Sequence, residues 1–148
     1  MKSIIFTAML TSVLLAACNN AKKTSSLTTP ADDPTALNGT WQLNYITGPR
    51  IAFDGLYPDK KPQITFDIAA KRVSGNTSCN SFSGVVTVDM GKIDLTAPMA
   101  TTKMACAGEG EFVFLSTLKK INSWSITEGK TLNLIMGDIA MMRFTKIN

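Results

Sequence analysis

The 148-residue chain contains no histidine. That removes the serine–histidine triads and every histidine-bearing metal site from consideration. Cysteine is scarce, with three in all, and none stands in the C-x-x-C spacing of a thiol oxidoreductase. No glycine-rich loop precedes a helix in the manner of a phosphate cradle. Asp32-Asp33 is too sparse for calcium and lacks the ligand run of an EF-hand loop. Basic residues outnumber acidic ones, 15 to 11, but they come as scattered pairs (Lys22-Lys23, Lys60-Lys61, Lys71-Arg72, Lys119-Lys120). A nucleic-acid surface needs a concentrated basic stripe interleaved with aromatics, so nucleic acid is not expected as a partner. No apolar run reaches the roughly 20 residues that span a bilayer, and no internal repeat is visible.

The amino terminus reads differently. Lys2 precedes an apolar run from Ile4 to Ala17, and small residues precede Cys18. Positive end, short hydrophobic core and small-residue exit are the parts of a secretory signal in their proper order. Leu15-Ala16-Ala17-Cys18 resembles the lipobox of bacterial lipoproteins. The resemblance implies cleavage before Cys18 and lipidation of that residue, hence a membrane partner held through acyl chains. Three such chains make a durable anchor, where one would be marginal. Asn19, rather than Asp, follows the cysteine; by the rule of enteric bacteria this points to the outer membrane.

Residues 19–36 (NNAKKTSSLTTPADDPTA) hold Leu27 as their single large apolar residue. Such a segment buries too little surface to offset its ordering entropy, and it is expected to be a flexible tether. The expected organisation is thus a signal over 1–17, a lipidated cysteine and tether over 18–36, and one domain over 37–148. Losing Lys2 with the signal takes the net charge from +4 to +3.

Within the domain, Trp41, Leu43 and Tyr45 alternate as a half-buried strand requires. Residues 50–62 read as a loop with Gly55, Pro58 and Pro62. Gln63–Ile68 reads as a strand, and Arg72–Gly75 as the start of its return. Ser81–Val88 forms one further strand, with Gly84 marking a bulge or a close backbone approach. It is followed by a turn at Asp89–Lys92 and a return through Ile93–Leu95. Residues 100–107 are expected to be extended. From Glu109 to Asn122 the period changes: Phe112, Leu115, Leu118 and Ile121 recur at steps of three, with Phe114 beside them. Acidic residues come first and lysines last, as a helix dipole favours. Ser123–Thr127, Leu132–Met136 and Ile139–Phe144 are strands, and Gly137-Asp138 is the two-residue turn of a hairpin. About eight strands and one helix give a mainly β domain, a small antiparallel barrel-like curved sheet with one packed helix.

Cys79 and Cys106 are an even pair in an exported chain, which is most simply a disulfide. Two buried thiols and a redox pair are the alternatives. Cys79 sits in SGNTSCNSFSG, residues 74–84. Asn80 beside it reads as a turn residue bonding its own backbone, with a ligand contact as the alternative. Asp54 with Asp59, and Glu109 with Glu111, are the formal carboxylate pairs; loop solvation and dipole complementarity account for them without catalysis.

The succession Leu37-Asn38-Gly39-Thr40-Trp41, Ile64-Thr65-Phe66, Gly75-Asn76-Thr77-Ser78-Cys79-Asn80-Ser81-Phe82-Ser83-Gly84 and Thr102-Lys103-Met104-Ala105-Cys106 resembles the META/HslJ family of small envelope proteins. Ser78 and Lys103 depart from the Gly and Arg often found at those places in the family. The resemblance covers Leu37 to about Phe144. It makes Gly75, Asn80, Phe82, Gly84 and Met104 structural family marks, and it implies a β-barrel-like sheet, envelope residence and a link to stress or drug tolerance. It implies no enzymatic activity, cofactor or metal. The functional expectation is a non-enzymatic envelope lipoprotein that binds another envelope component, with a monomer favoured. The alternative is an inhibitor of extracellular or periplasmic proteases acting through the 50–62 loop. A lipocalin-like carrier would need an open apolar cavity, whereas about 110 residues rich in large side chains fill a small barrel.

Overall fold

The computed structural model describes residues 33–148 together with the short strand Thr28–Thr29. The signal 1–17, Cys18 and most of the expected tether lie outside the described residues.

The strands in chain order are β1 (Thr28–Thr29), β2 (Gly39–Ile46), β3 (Gln63–Asp67), β4 (Arg72–Asn76), β5 (Ser81–Val85), β6 (Thr87–Asp89), β7 (Lys92–Asp94), β8 (Ala100–Thr101), β9 (Ser123–Thr127), β10 (Thr131–Met136) and β11 (Ile139–Lys146). Two α-helices accompany them, α1 (Phe53–Leu56) and α2 (Gly110–Leu118), with a 3-10 turn at Pro34–Leu37. All form one antiparallel sheet in the order β6-β7-β9-β10-β11-β2-β3-β4-β5-β8, with β1 added beside β9. β5 and β6 stand near opposite ends of this order, yet only Val86 separates them in the chain. The sheet must therefore curl to bring its ends together, and the fold is mainly β with a half-barrel sheet.

Alternation builds the core. Trp41 and Leu43 of β2, Ile64 and Phe66 of β3, Trp124 and Ile126 of β9, Leu132 and Leu134 of β10, and Met142 and Phe144 of β11 point inward and are buried. The interior is filled with large side chains, so the space a carrier would need is taken by Trp41, Tyr57, Phe66, Phe114 and Phe144. Trp41 also donates its indole N–H to the Leu37 carbonyl at 2.7 Å. That bond ties the Pro34–Leu37 turn to the first long strand.

Several expectations are corrected. Tyr45 does not join Trp41 and Leu43 inside. Leu43 pairs with Phe144 and Tyr45 with Arg143, which leaves Asn44 as an extra residue in β2. This bulge turns Tyr45 outward under Arg143, whose guanidinium lies 5.0 Å from the ring centre, and sends Ile46 inward instead. The single strand expected over 81–88 breaks at Val86, which is buried and donates its N–H to the Lys71 carbonyl. Only Ala100–Thr101 of the 100–107 segment pairs as a strand. The 50–62 loop contains the short helix α1. Thr28 and Thr29, within the expected tether, pair with Thr127 and Ile126 of β9.

The helix α2 is shorter than expected, and its buried residues are Gly110, Phe114, Thr117 and Leu118. Phe112 is 74% exposed. Steps of three drift round a helix: at about 100° per residue, six residues leave Phe112 roughly 120° away from Leu118. The stripe that meets the core follows steps of four and three from Gly110. There the missing Cβ is essential, because one would stand 2.6 Å from the Leu56 carbonyl oxygen and 2.9 Å from the Tyr57 ring.

The pairing directions sort the connections into two ends. The β3–β4 turn, the β9–β10 turn and β1 lie at one end. The β4–β5 turn and the β10–β11 turn lie at the other, where β8 leads on to α2.

Candidate functional site

The second of these ends holds most of the residues singled out from the sequence. Cys79 lies in the β4–β5 turn and Cys106 in the loop before α2, and they are joined by a disulfide. Of the readings left open, the bridge is the one realised.

Asn80 is 2% exposed and organises the whole corner. Its Oδ1 accepts from the Thr102 hydroxyl at 2.7 Å and from the Met104 N–H at 2.8 Å. Its amide nitrogen donates to the Met104 carbonyl at 3.2 Å and to Glu111 Oε2 at 2.9 Å, and lies 3.0 Å from Cys106 Sγ. The side chain thus does not tie its own turn, as its place in a polar loop led one to expect. It crosses to the 102–106 loop and to the helix. The turn is held by Thr77 instead: the Thr77 N–H donates to the Asn80 carbonyl, and the Asn80 N–H donates to the Thr77 hydroxyl oxygen.

Glu111 completes the group. Its Oε2 accepts from the buried Thr77 hydroxyl at 2.7 Å and from Asn80, and lies 3.5 Å from Cys106 Sγ. It stands in the first turn of α2, where the helix dipole favours a negative charge. Cys79, Cys106 and Glu111 bring three ligand-type atoms within 4.8 Å of one another. Both sulfurs are bonded to each other, so neither offers the thiolate that a metal needs.

The other family marks have structural places. Gly75 faces the Gln63 carbonyl of the neighbouring strand so closely that no Cβ fits. A Cβ on Gly84 would stand 3.0 Å from Met99 Cγ, which makes this a close approach rather than a bulge. Phe82 is buried, with its ring 5.7 Å from that of Phe114. Met104 contributes its backbone to Asn80, while its side chain is 60% exposed. Asp54 and Asp59 lie exposed on the 50–62 loop. In the same loop Leu56 and Tyr57 are buried, and the Tyr57 hydroxyl donates to the Gly110 carbonyl at 3.0 Å. Burial pushes the Tyr57 pKa up to about 12.

Beside the bridge runs a surface groove of about 480 Å³, lined by Cys106, Gly108, Glu111, Phe112, Leu115 and Lys119 among others. Sequence reasoning missed it because Phe112 reads as a core residue; Leu115, half-buried, packs against the core and also lines the groove. The signal was present: α2 carries apolar side chains on all sides, which a helix with only one buried face does not need.

The META domain family model matches residues 34–148. No curated protein matches the chain. Among solved structures, it is similar to an NMR structure of a protein from Burkholderia xenovorans. That match has 19% identity and a TM-score of 0.59, covering 76% of this chain and 86% of that one. It is also similar to a DUF4847 family protein from Bacteroides vulgatus, at 14% identity and a TM-score of 0.50, covering 74% and 92%. At these identities the likeness is one of fold.

Proposed function

The chain belongs to the META domain family, and on that premise we propose that it is a non-enzymatic cell-envelope lipoprotein whose domain binds another envelope component in support of stress or drug tolerance. Cys18 holds it to the outer membrane through acyl chains, and the corner built around Asn80 carries the binding surface. The observation that carries this reading is the division of labour at that corner. Cys79 and Cys106 are bonded to each other, and Asn80 directs its polar atoms to Thr102, Met104 and Glu111. These groups hold shape. What they hold up to solvent is Phe112, which lines a groove, and the exposed Met104 of the loop that Asn80 ties. Large exposed apolar side chains over a rigid support are the anatomy of a binding surface.

The protease-inhibitor alternative has less support. It needs the 50–62 loop to protrude, and the middle of that loop is core, through Leu56 and Tyr57.

The test has two arms. Labelling of cells with an alkyne fatty acid should mark the parent protein and not Cys18→Ser, and the label should travel with outer-membrane fractions. A photo-crosslinking amino acid at position 112 should give a discrete adduct in cells, absent when it stands at exposed Lys130, in the β9–β10 turn at the opposite end of the sheet. Unlabelled, freely soluble protein sinks the lipoprotein half. Identical crosslinking from the two positions, with unchanged envelope-stress survival on deletion, sinks the binding half.

A further inference from the structure

We propose that the groove beside α2 is a binding site for a small amphipathic organic cation, with an ammonium or guanidinium head against Glu111 and an apolar body along Phe112 and Leu115. This names the ligand class of the binding surface proposed above and rests on that reading.

Three observations converge. The first is size and lining. At about 480 Å³ the groove falls within the few-hundred to 1,000 Å³ range of small-molecule sites, and its walls are mainly apolar. Phe112 projects from it 74% exposed, on a helix whose opposite side already supplies the core contacts through Phe114 and Leu118. An aromatic face this open is costly in water and well suited to a cation or an apolar chain.

The second is the state of Glu111. This half-buried carboxylate lines the groove, yet the groups that bond it are neutral, the Thr77 hydroxyl and the Asn80 amide. Both engage the same oxygen, Oε2. They fix the carboxylate in one orientation without neutralising it. A charge held rigidly in a partly desolvated wall, with no cation supplied by its own bonding partners, is complementary to a cationic ligand. The disulfide and Gly108, which carries no side chain, keep this end of the groove firm and open.

The third is Lys119 at the far end of the same groove. It lies eight residues along the helix, roughly 12 Å from Glu111 at about 1.5 Å per residue. It repels a second positive charge there. The ligand is therefore cationic at one end, and its apolar body is no longer than about 10 Å, the distance available before the lysine.

The experiment uses 4-phenylbutylammonium, with 5-phenylpentanoate and 4-phenylbutanol as anionic and neutral counterparts of similar shape. Binding is followed by amide chemical shifts of the oxidised protein at neutral pH. The ammonium should bind saturably at about millimolar concentration or below, as its size allows, with shifts centred on residues 106–116. The carboxylate should bind at least tenfold more weakly, and the alcohol should fall between. Glu111→Gln keeps an oxygen acceptor for Thr77 and Asn80; it should weaken the ammonium about tenfold and abolish the preference over the alcohol. Phe112→Ala should weaken ammonium and alcohol alike. Should Glu111→Gln disturb folding, Lys119→Ala replaces it: exposed and outside the hydrogen-bonded group, it should tighten the ammonium about twofold. Equal binding of the three compounds, shifts centred elsewhere, no binding at all, or no change with either charge variant overturns the proposal. If a protein adduct forms at position 112 in cells while no ammonium binds, the ligand class is wrong and the binding-surface reading stands.

Discussion

Asn80→Asp separates a structural hub from an ordinary turn residue. The substitution is isosteric, so packing is preserved, and Oδ1 can still accept from the Thr102 hydroxyl and the Met104 N–H. What changes is the other branch. The amide that donates to the Met104 carbonyl and to Glu111 Oε2 becomes a carboxylate oxygen. Two donors are lost, each at about 1–3 kcal/mol when the partner stays buried. A second negative charge is set against Glu111 at the 2.9 Å now occupied by a hydrogen bond; at an effective dielectric of about 20 that repulsion alone reaches about 6 kcal/mol before relaxation. The pair escapes part of this cost by holding a proton, so the net loss at neutral pH is about 4 kcal/mol, a large share of the 5–15 kcal/mol typical of a domain. The introduced carboxyl then has a folded-state pKa raised above its unfolded value of about 3.9. A raised acid pKa means that the folded state binds the extra proton, so the penalty is absent below the unfolded pKa and grows to its full size as pH rises through the folded one. Urea unfolding followed by fluorescence of the buried Trp41 and Trp124 at pH 7.5 and 4.5 measures it, always as the difference from the parent at the same pH. The variant should lose most at pH 7.5 and recover by roughly 2 kcal/mol or more at pH 4.5. A turn residue bonding only its own backbone would tolerate Asp, so parent-like stability at both pH values refutes the hub.

The remaining expectations are simpler. The bridge joins residues 27 apart, and the loop-entropy estimate makes it worth about 3.5 kcal/mol, or about 10–15 °C in Tm for a domain of this size; circular dichroism should show that loss in Cys79→Ser and in the reduced parent, and not as a further loss when the variant is reduced. Two phenylalanines two positions apart should behave oppositely: Phe114→Ala, at a fully buried site, should cost about 3–5 kcal/mol, while Phe112→Ala should change urea stability by less than about 0.5 kcal/mol. In an ultraviolet pH titration Tyr57 should ionise near 12, well after an ordinary phenol. Because its folded pKa is raised, the associated stability is present below about 10 and lost as pH rises toward 12, so Tyr57→Phe should flatten alkaline unfolding over that window.

Period-2 patterns were legible where a strand is regular along its length. Ile64 with Phe66, and Trp124 with Ile126, lie inward because nothing interrupts their alternation. Tyr45 was misplaced because a bulge has no signature in Asn44 itself; it arises from the register that β11 imposes from a hundred residues away. Phe112 was misplaced for a different reason. Apolar residues on every side of α2 leave the period without contrast, and the buried stripe is chosen by where Gly110 can approach Tyr57 and Leu56, a contact between distant segments.

The site follows the same rule. The cysteine pairing was legible because, with Cys18 set aside by the lipobox resemblance, only Cys79 and Cys106 are left to pair. The role of Asn80 was not, since a short amide in a polar loop bonds its own turn unless another segment arrives to compete. Here the 102–106 loop arrives, brought by the β5–β8 pairing and pinned by the bridge. Asn80 then meets backbone groups of Met104 and a carboxylate of α2, while Thr77 takes over the turn. This order of dependence makes the bridge and the hub one unit. Opening the disulfide loosens the loop that supplies Thr102 and Met104, so Asn80→Ala should cost less in the reduced protein than in the oxidised one. A double-mutant cycle of Asn80→Ala with Cys79→Ser measures the coupling as a departure from additivity of about 1 kcal/mol or more. Strict additivity would mean that the loop reaches Asn80 without the bridge, and that the two family marks only happen to be neighbours.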